Sequence, residues 1–355
     1  MRLVFTHRFR DELRREYQFL RERNPAAAER VRERIITTIQ RLKQFPQSGR
    51  SWRLPETSEL VVPGLPYIVI YEIGAATQAL VTLPEHEVLH GAIYGRSGSG
   101  KSQGHAIAGL LTDYTSSAVV TDNKGELSWA TAPHRAEMFG QEIVCIAPFG
   151  GVPDGFEAHA FNPLSVVNLK SPHLVSDAIH FAKALIRPDK QDHNPFFVKS
   201  AMNVLDAVLS FLLCHAVPSQ CTLQKLREIT VNPDALKSMA EIMLQSDHAG
   251  GYLKFKARQL LSLTGKTLMD VLATLNTQLF WIDSVDIEHA TSWTTFNIQK
   301  LLDGKMTIYL IFPTDRAEDY SALIRVWITA IAHAIFAAGT NRSQMVRFYF
   351  DEASL

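Results

Sequence analysis

Apolar residues in the first fifty positions recur every three or four residues. Phe9, Leu13, Tyr17 and Leu20 stand in a charged background, and Val31, Ile35, Ile39, Leu42 and Phe45 follow on one helical face after Asn24-Pro25. This spacing predicts two amphipathic helices, the second opened by a proline in its first turn and stopped by Pro46 and Gly49. A short strand is expected before them at residues 1–5. Extended runs at 59–62, 67–73 and 79–83 follow, separated by Pro63-Gly64 and Gly74. That is the turn chemistry of an antiparallel meander.

Beyond residue 93 the pattern changes. Four apolar runs, 117–121, 143–147, 306–312 and 345–350, stop at Asp122, Pro148, Pro313 and Asp351. Continuous rather than alternating runs predict parallel strands buried on both faces. In such sheets ligands gather beyond the carboxyl ends of the strands, where Gly95, Asp122 and Asp351 all project. Between 163 and about 300 the spacing is helical, with Ala201, Leu205, Leu209 and Leu212, then Leu260, Leu263, Leu268, Leu272 and Leu275. The longest apolar runs, 204–217 and 326–338, are broken by Asp206, His215 and His333. They fall short of the ~20 residues a membrane span requires, so no transmembrane helix is expected.

Composition adds bounds. At 355 residues, 46% hydrophobic and 20% charged, the chain is long enough for two or three domains with cores of their own. The net charge of zero is unevenly placed: residues 1–53 hold 14 basic and 6 acidic side chains, +8, which leaves −8 for the rest. Such asymmetry suggests modules of different origin, the first drawn to an acidic partner. Cys145, Cys214 and Cys221 form no CxxC pair and follow no secretory signal. They read as core residues in a reduced, cytoplasmic setting.

GRSGSGKS, residues 95–102, satisfies GxxxxGK[ST] in full. Gly95, Gly98 and Gly100 let backbone N–H groups curl around phosphate, Lys101 reaches the β and γ oxygens, and Ser102 coordinates Mg²⁺. A helix is expected from 103 to 113, its N-terminus adding positive potential. RFYFDE, 347–352, reads as a Walker B strand, with Asp351 serving Mg²⁺ and Glu352 polarising the attacking water. Without Lys101 the same pair would read as an ordinary acidic strand end. HEVLH, 86–90, matches the zinc motif HExxH. Pro84 and Gly91 leave barely two turns of helix around it, and an extended chain would set His86 and His90 about 13 Å apart at ~3.3 Å per residue, too far for one metal. An extended segment without zinc is expected.

Larger resemblances rest on ordered motifs. ERNPAAAERV, FPQSGR, ELVVPGLPYIVIYEI and VLHGA resemble the ParE/RelE superfamily of type II toxins over residues 1–92. The resemblance implies a small α+β domain, a ParD-like antitoxin partner, and Arg50, Arg53 and His90 as candidates for a gyrase- or ribosome-directed surface. A solvated basic edge explains the two arginines equally well. GRSGSGKSQGHAIAGLL, TDNKGEL, GQEIVCIAPFG, FNPL, DHNPFF, KMTIYLIFPTDRAEDYSALIRVW and FYFDEASL resemble, in family order, the TraG/TraD-type coupling proteins of type IV secretion. That resemblance implies an α/β fold, a RecA-like P-loop NTPase sheet over 93–165 and 301–355 with an all-α insertion at 166–300. It also implies ATP and Mg²⁺ as cofactors and a homo-hexamer that moves relaxase-bound single-stranded DNA or a secreted effector toward the type IV secretion apparatus. By position, Gly95, Gly98, Gly100, Lys101 and Ser102 would bind nucleotide, and Lys101, Asp351 and Glu352 would serve Mg²⁺ and hydrolysis. Asp122 and Lys124 fall in a further family stretch.

Two departures shape the expectation. The toxin-like module stands where the family has a transmembrane hairpin, and the sequence stops at Leu355, before the family's sensor strand, glutamine and arginine finger. Residues 89–94 are wanted both as the last toxin strand and as the strand that launches the P-loop, which suggests a junction of two reading frames. The expectation is a coupling-protein ATPase fragment, hydrolysis-deficient, fused to a toxin-like domain. The alternatives are nucleotide binding without turnover, and a type II toxin (gyrase inhibitor or mRNA endonuclease) carrying an inactive nucleotide-binding passenger.

Overall fold

The computed structural model describes residues 106–186, 195–339 and 344–351. Before these it describes 3–4, 9, 13–14, 17–18, 20–21, 24–43, 45–51, 57–65, 67–73 and 78–80. The chain divides into two compact units, Met1–Tyr114 with Ala130–Gln141, and Thr115–Trp129 with Glu142–Leu355.

In the first unit, five strands form a sheet in the order β1-β5-β4-β3-β2: β1 Leu3–Val4, β2 Arg50–Ser51, β3 Thr57–Val61, β4 Ile68–Ile73 and β5 Gln78–Leu80. The meander pairs antiparallel, and β1 joins β5 in parallel. Helix α1, Pro25–Gln40, begins as expected: the Asn24 side chain accepts the Ala27 N–H at 3.0 Å and Pro25 fills the first turn. Its face buries Ile35 and Ile39, with Leu42, against Val62, Val69 and Tyr71. The helix stops earlier than its periodicity predicts. Arg41–Lys43 tighten into a 3-10 turn, and Phe45, expected on the apolar face, is 62% exposed. Gly49 has a packing reason: a Cβ there would lie 2.5 Å from the Glu59 carbonyl oxygen and 2.7 Å from the Tyr71 ring. The short helix α2, Ala108–Thr112, also belongs to this unit. The buried Arg135 donates from Nη1 to the carbonyls of Leu110 and Asp113, which end that helix, and from Nε to Gln141.

The second unit is built on a parallel sheet ordered β7-β8-β6-β9, from β6 Ser117–Asp122, β7 Glu142–Ile146, β8 Met306–Ile311 and β9 Val346–Phe350. All four apolar runs became the expected parallel strands. Every residue of β6 and β8 is buried, as in a sheet covered on both faces. β9 is only half-buried and, among the described residues, pairs on one side alone. Helix α3, Glu126–Phe139, follows β6. A helical region then intervenes before β8: α4 Leu174–Leu185, α5 Pro195–His215, α6 Leu223–Val231, α7 Pro233–Leu244, α8 Tyr252–Ser262, α9 Gly265–Leu279 and α10 Val285–Thr291. Helix α11, Ser321–Ala338, connects β8 to β9.

Of the expected helical leucines, Leu205, Leu209, Leu212, Leu260, Leu272 and Leu275 are buried, on separate helices, whereas Leu268 is half-buried and Leu263 is half-buried just past the end of α8. Leu260 ends the buried face of α8, and Leu272 and Leu275 lie on α9. Thr222 and Asn232 cap α6 and α7 with their side-chain oxygens. Helices and sheet share one continuous core, in which Val119, Val144 and Ile308 meet Phe181, Leu205, Leu209 and Trp327.

One expectation is corrected. Phe196–His215 and Ser321–Ala338 are long and apolar enough to cross a membrane by length and composition. The apolar runs were cut short at Asp206 and His333, yet both polar groups have partners within the fold. Asp206 is paired with Lys256, and His333 lies 3.8 Å from Asp177. Of the two segments, 61% and 33% respectively are buried, and both bury apolar residues in the core of the second unit.

Candidate nucleotide site

The carboxyl edge of the parallel sheet is where the sequence placed the chemistry. Asp122 is the last residue of β6, and the register pairs Thr121 with Phe350 and Asp122 with Ile311. Asp351, one residue beyond β9, therefore comes level with Asp122 at the same edge. The strand ends are tied together: the Asp351 N–H donates to Thr121 Oγ1 at 3.1 Å, the Phe312 N–H to the Asp122 carbonyl at 3.3 Å, and Thr314 Oγ1 to the Asn123 carbonyl at 3.0 Å.

The loop after β6 turns back on itself. Asp122 is fully buried and its Oδ2 accepts the Ser128 N–H at 2.7 Å, in the first turn of α3. A carboxylate there satisfies an otherwise unpaired helix N–H and meets the positive end of the helix dipole. Gly125 makes the turn possible with φ +73°, and Ser128 Oγ donates to its carbonyl at 3.0 Å. Asp122 Oδ1 is buried with no hydrogen-bond partner among the described residues. Lys124 stands exposed on the same loop. The Asp122 charge and, chiefly, burial push the neighbouring Cys145 thiol up to about 12, and burial alone lifts that of Cys221 to about 11. Both cysteines are buried and Cys214 is half-buried, all three free.

Among the expected site residues, Asp351 is described, half-buried at this edge. Gly95, Gly98, Gly100, Lys101, Ser102 and Glu352 lie outside the described residues, as do Arg53 and the HEVLH stretch with His86 and His90. Arg50 is described, and its Nε pairs with Glu59, its direct cross-strand neighbour, which is 3% exposed. The ties through Thr121, Thr314 and Ser128 were not anticipated. The spacing of Asp122, Gly125 and Ser128 was their only trace in the sequence.

Residues 70–354 match the family described as Type IV secretory system Conjugative DNA transfer. The chain belongs to this family. Residues 3–90 match the ParE toxin of type II toxin-antitoxin system, parDE, so the two matches overlap over residues 70–90. Within that overlap, the described residues of β4 and β5 pair in the antiparallel sheet of the first unit.

The chain is 21% identical over 270 residues to the type IV secretion system-coupling protein VirD4 of Bartonella henselae, covering 75% of this chain and 42% of the relative. It thus spans about two fifths of that protein's length. Over 69 residues it is 36% identical to "Putative toxin Y4kP" of Sinorhizobium fredii, covering 19% of this chain and 72% of that protein. The N-terminal region is therefore a ParE toxin domain. Among solved structures, the bacterial conjugative coupling protein TrwBdeltaN70, unbound, aligns with a TM-score of 0.50 at 17% identity over 73% of this chain and 54% of that one. That likeness supports the RecA-like fold. Another TrwB structure, 16% identical over 73% of this chain and 55% of that one with a TM-score of 0.46, is a complex with ADP and Mg²⁺.

Proposed function

We propose that the second module binds ATP with Mg²⁺ and couples it to transfer of a macromolecule through a type IV secretion apparatus. The observation that carries this reading is the meeting of Asp122 and Asp351 at the carboxyl edge of a parallel sheet, in a chain whose sequence holds a complete P-loop. Gly95, Gly98, Gly100 and Lys101 would hold the phosphates, and Ser102 with Asp351 would hold Mg²⁺, whose charge would offset that of the phosphate oxygens. Hard carboxylate and hydroxyl oxygens are the donors this ion takes. The orphaned Oδ1 of Asp122 adds an acceptor at the same edge. Glu352 follows Asp351 directly, in the place of a residue that orients attacking water. Single-stranded DNA with its relaxase, or a secreted effector, is the proposed cargo, a homo-hexamer the proposed assembly, and the cytoplasm the proposed location.

Titration of the full chain with a fluorescent ATP analogue tests this. Mg²⁺-dependent saturation, lost in Lys101→Ala and kept in Glu352→Gln, is expected. Equal binding by the Lys101→Ala variant refutes the nucleotide reading. Any DNA-stimulated hydrolysis should vanish in Glu352→Gln.

A second reading applies to the first module, favoured by its 36% identity to the toxin-named relative. Residues 1–92 act as a toxin neutralised by a ParD-like antitoxin. The +8 charge of residues 1–53 suits an acidic partner. Growth arrest on induction of the chain, relieved by co-expressed antitoxin and retained in Lys101→Ala, would support it. Harmless expression of the folded chain would remove it.

A further inference from the structure

The helical part of the second unit contains a half-open cavity of about 380 Å³ between α4, α5 and α8. A buried ion pair lies in its lining: Lys256 Nζ is 2.6 Å from Asp206 Oδ2, and each side chain is 8% exposed. Tyr252 donates its hydroxyl to the same oxygen at 2.6 Å, and Ser210 donates to Oδ1 at 3.2 Å. Burial, and then the bond to Asp206, hold the Tyr252 phenol well above its ordinary range, so it stays a donor. The chain's own donors thus serve both oxygens of Asp206, and Lys256 has its counterion.

What remains for a ligand is positive. Lys183 and Lys199 line the cavity and form no ion pair among the described residues, and the Asn203 amide has no hydrogen bond there. Beside them Ile179 and Met202 form an apolar wall. A volume of this size with a few convergent polar groups on an apolar surface is the common form of a small-molecule site. Two ammonium groups without an ion pair among the described residues, together with an amide, call for an oxyanion. The wall favours an organic one over a bare inorganic ion, because the ion would gain nothing from apolar contact.

We propose that this cavity binds an organic oxyanion of metabolite size, its carboxylate or phosphate head held by Lys183, Lys199 and Asn203 and its apolar body laid against Ile179 and Met202. The site is independent of the P-loop and does not rest on the nucleotide reading. Lysine ammoniums accept either head group, since they act as point charges rather than as a planar fork.

Calorimetric titration of the full chain with octanoate, phenyl phosphate, inorganic phosphate and octanol tests it. Saturable binding of octanoate or phenyl phosphate is expected, with inorganic phosphate and octanol much weaker, and the organic anion that binds identifies the head group. The Lys183→Gln/Lys199→Gln double variant should lose at least about tenfold in affinity, as expected for a lost charge-assisted hydrogen bond. Its melting temperature should not change, because both lysines are exposed. Binding should persist in Lys101→Ala. Absence of saturable binding by both organic anions, binding indifferent to the two lysines, or binding abolished by Lys101→Ala would each overturn the proposal.

Discussion

Replacing Lys256 by methionine keeps most of the side-chain volume and removes one charge. Asp206 then stays buried on α5, with the Tyr252 and Ser210 hydroxyls as its hydrogen-bond partners and its counterion gone. At 8% exposure each, the pair meets little water even though it lines a half-open cavity, so solvent only partly replaces the ammonium. Breaking a buried pair from one side costs about 3–5 kcal/mol because the partner charge is left uncompensated. At roughly 2–4 °C per kcal/mol for a unit of this size, the melting temperature should fall by about 6–20 °C. The double variant Lys256→Met/Asp206→Asn removes both charges, and its amide oxygen accepts from one hydroxyl while its NH2 donates to the other. It should regain most of the loss, since neutral replacements of a buried pair are often close to isoenergetic. Thermal unfolding of the wild type, both single variants and the double variant closes the cycle, and the non-additive part isolates the coupling between the two residues. A fall of less than about 2 °C in Lys256→Met, well under the loss expected for a broken buried pair, would refute the reasoning. So would a double variant no better than Lys256→Met.

Asp122→Ala removes the acceptor for Ser128 N–H at the start of α3 and should destabilise by about 1–2 kcal/mol, as lost helix caps do; chemical denaturation measures this, and weaker ATP·Mg²⁺ binding should accompany it. Gly49→Ala places a methyl group against the Glu59 carbonyl and the Tyr71 ring. It should lower the stability of the first unit by about 1–3 kcal/mol through overpacking, read by hydrogen exchange of β3 and β4. Asp283 accepts two hydrogen bonds of 2.7 Å from Arg227, and these hold its carboxyl below the usual 3.8 despite an opposing effect of burial. A depressed folded value means the contribution is present in full above the unfolded value and lost as pH falls through the folded one. Wild type and Asp283→Asn should therefore differ at neutral pH and converge in melting temperature as the pH falls through and below the depressed folded value. The difference should be small, because Asp283 is 53% exposed.

Four parallel strands were legible because strands buried on both faces must be apolar at every position, a pattern that survives without knowledge of their neighbours. The start of α1 was legible for a similarly local reason: Asn24 and Pro25 act on groups within one helical turn. Its end was not. Phe45 continues the helical spacing, and only the backbone closing into a 3-10 turn at Arg41 puts it in solvent. The order β7-β8-β6-β9 joins segments more than a hundred residues apart, so it depends on which apolar surfaces meet rather than on any local preference.

The P-loop and Walker B motifs could be read from the chain because phosphate and Mg²⁺ demand particular residue types at particular spacings. That Asp122 and Asp351 share one edge followed from the parallel strands they end, but the register that brings them level, the pairing of Arg50 with Glu59, and the matching of Asp206 on an apolar helix by Lys256 were decided by tertiary structure alone. Electrostatic energy depends on distance and burial, and neither exists along a sequence until the chain has folded.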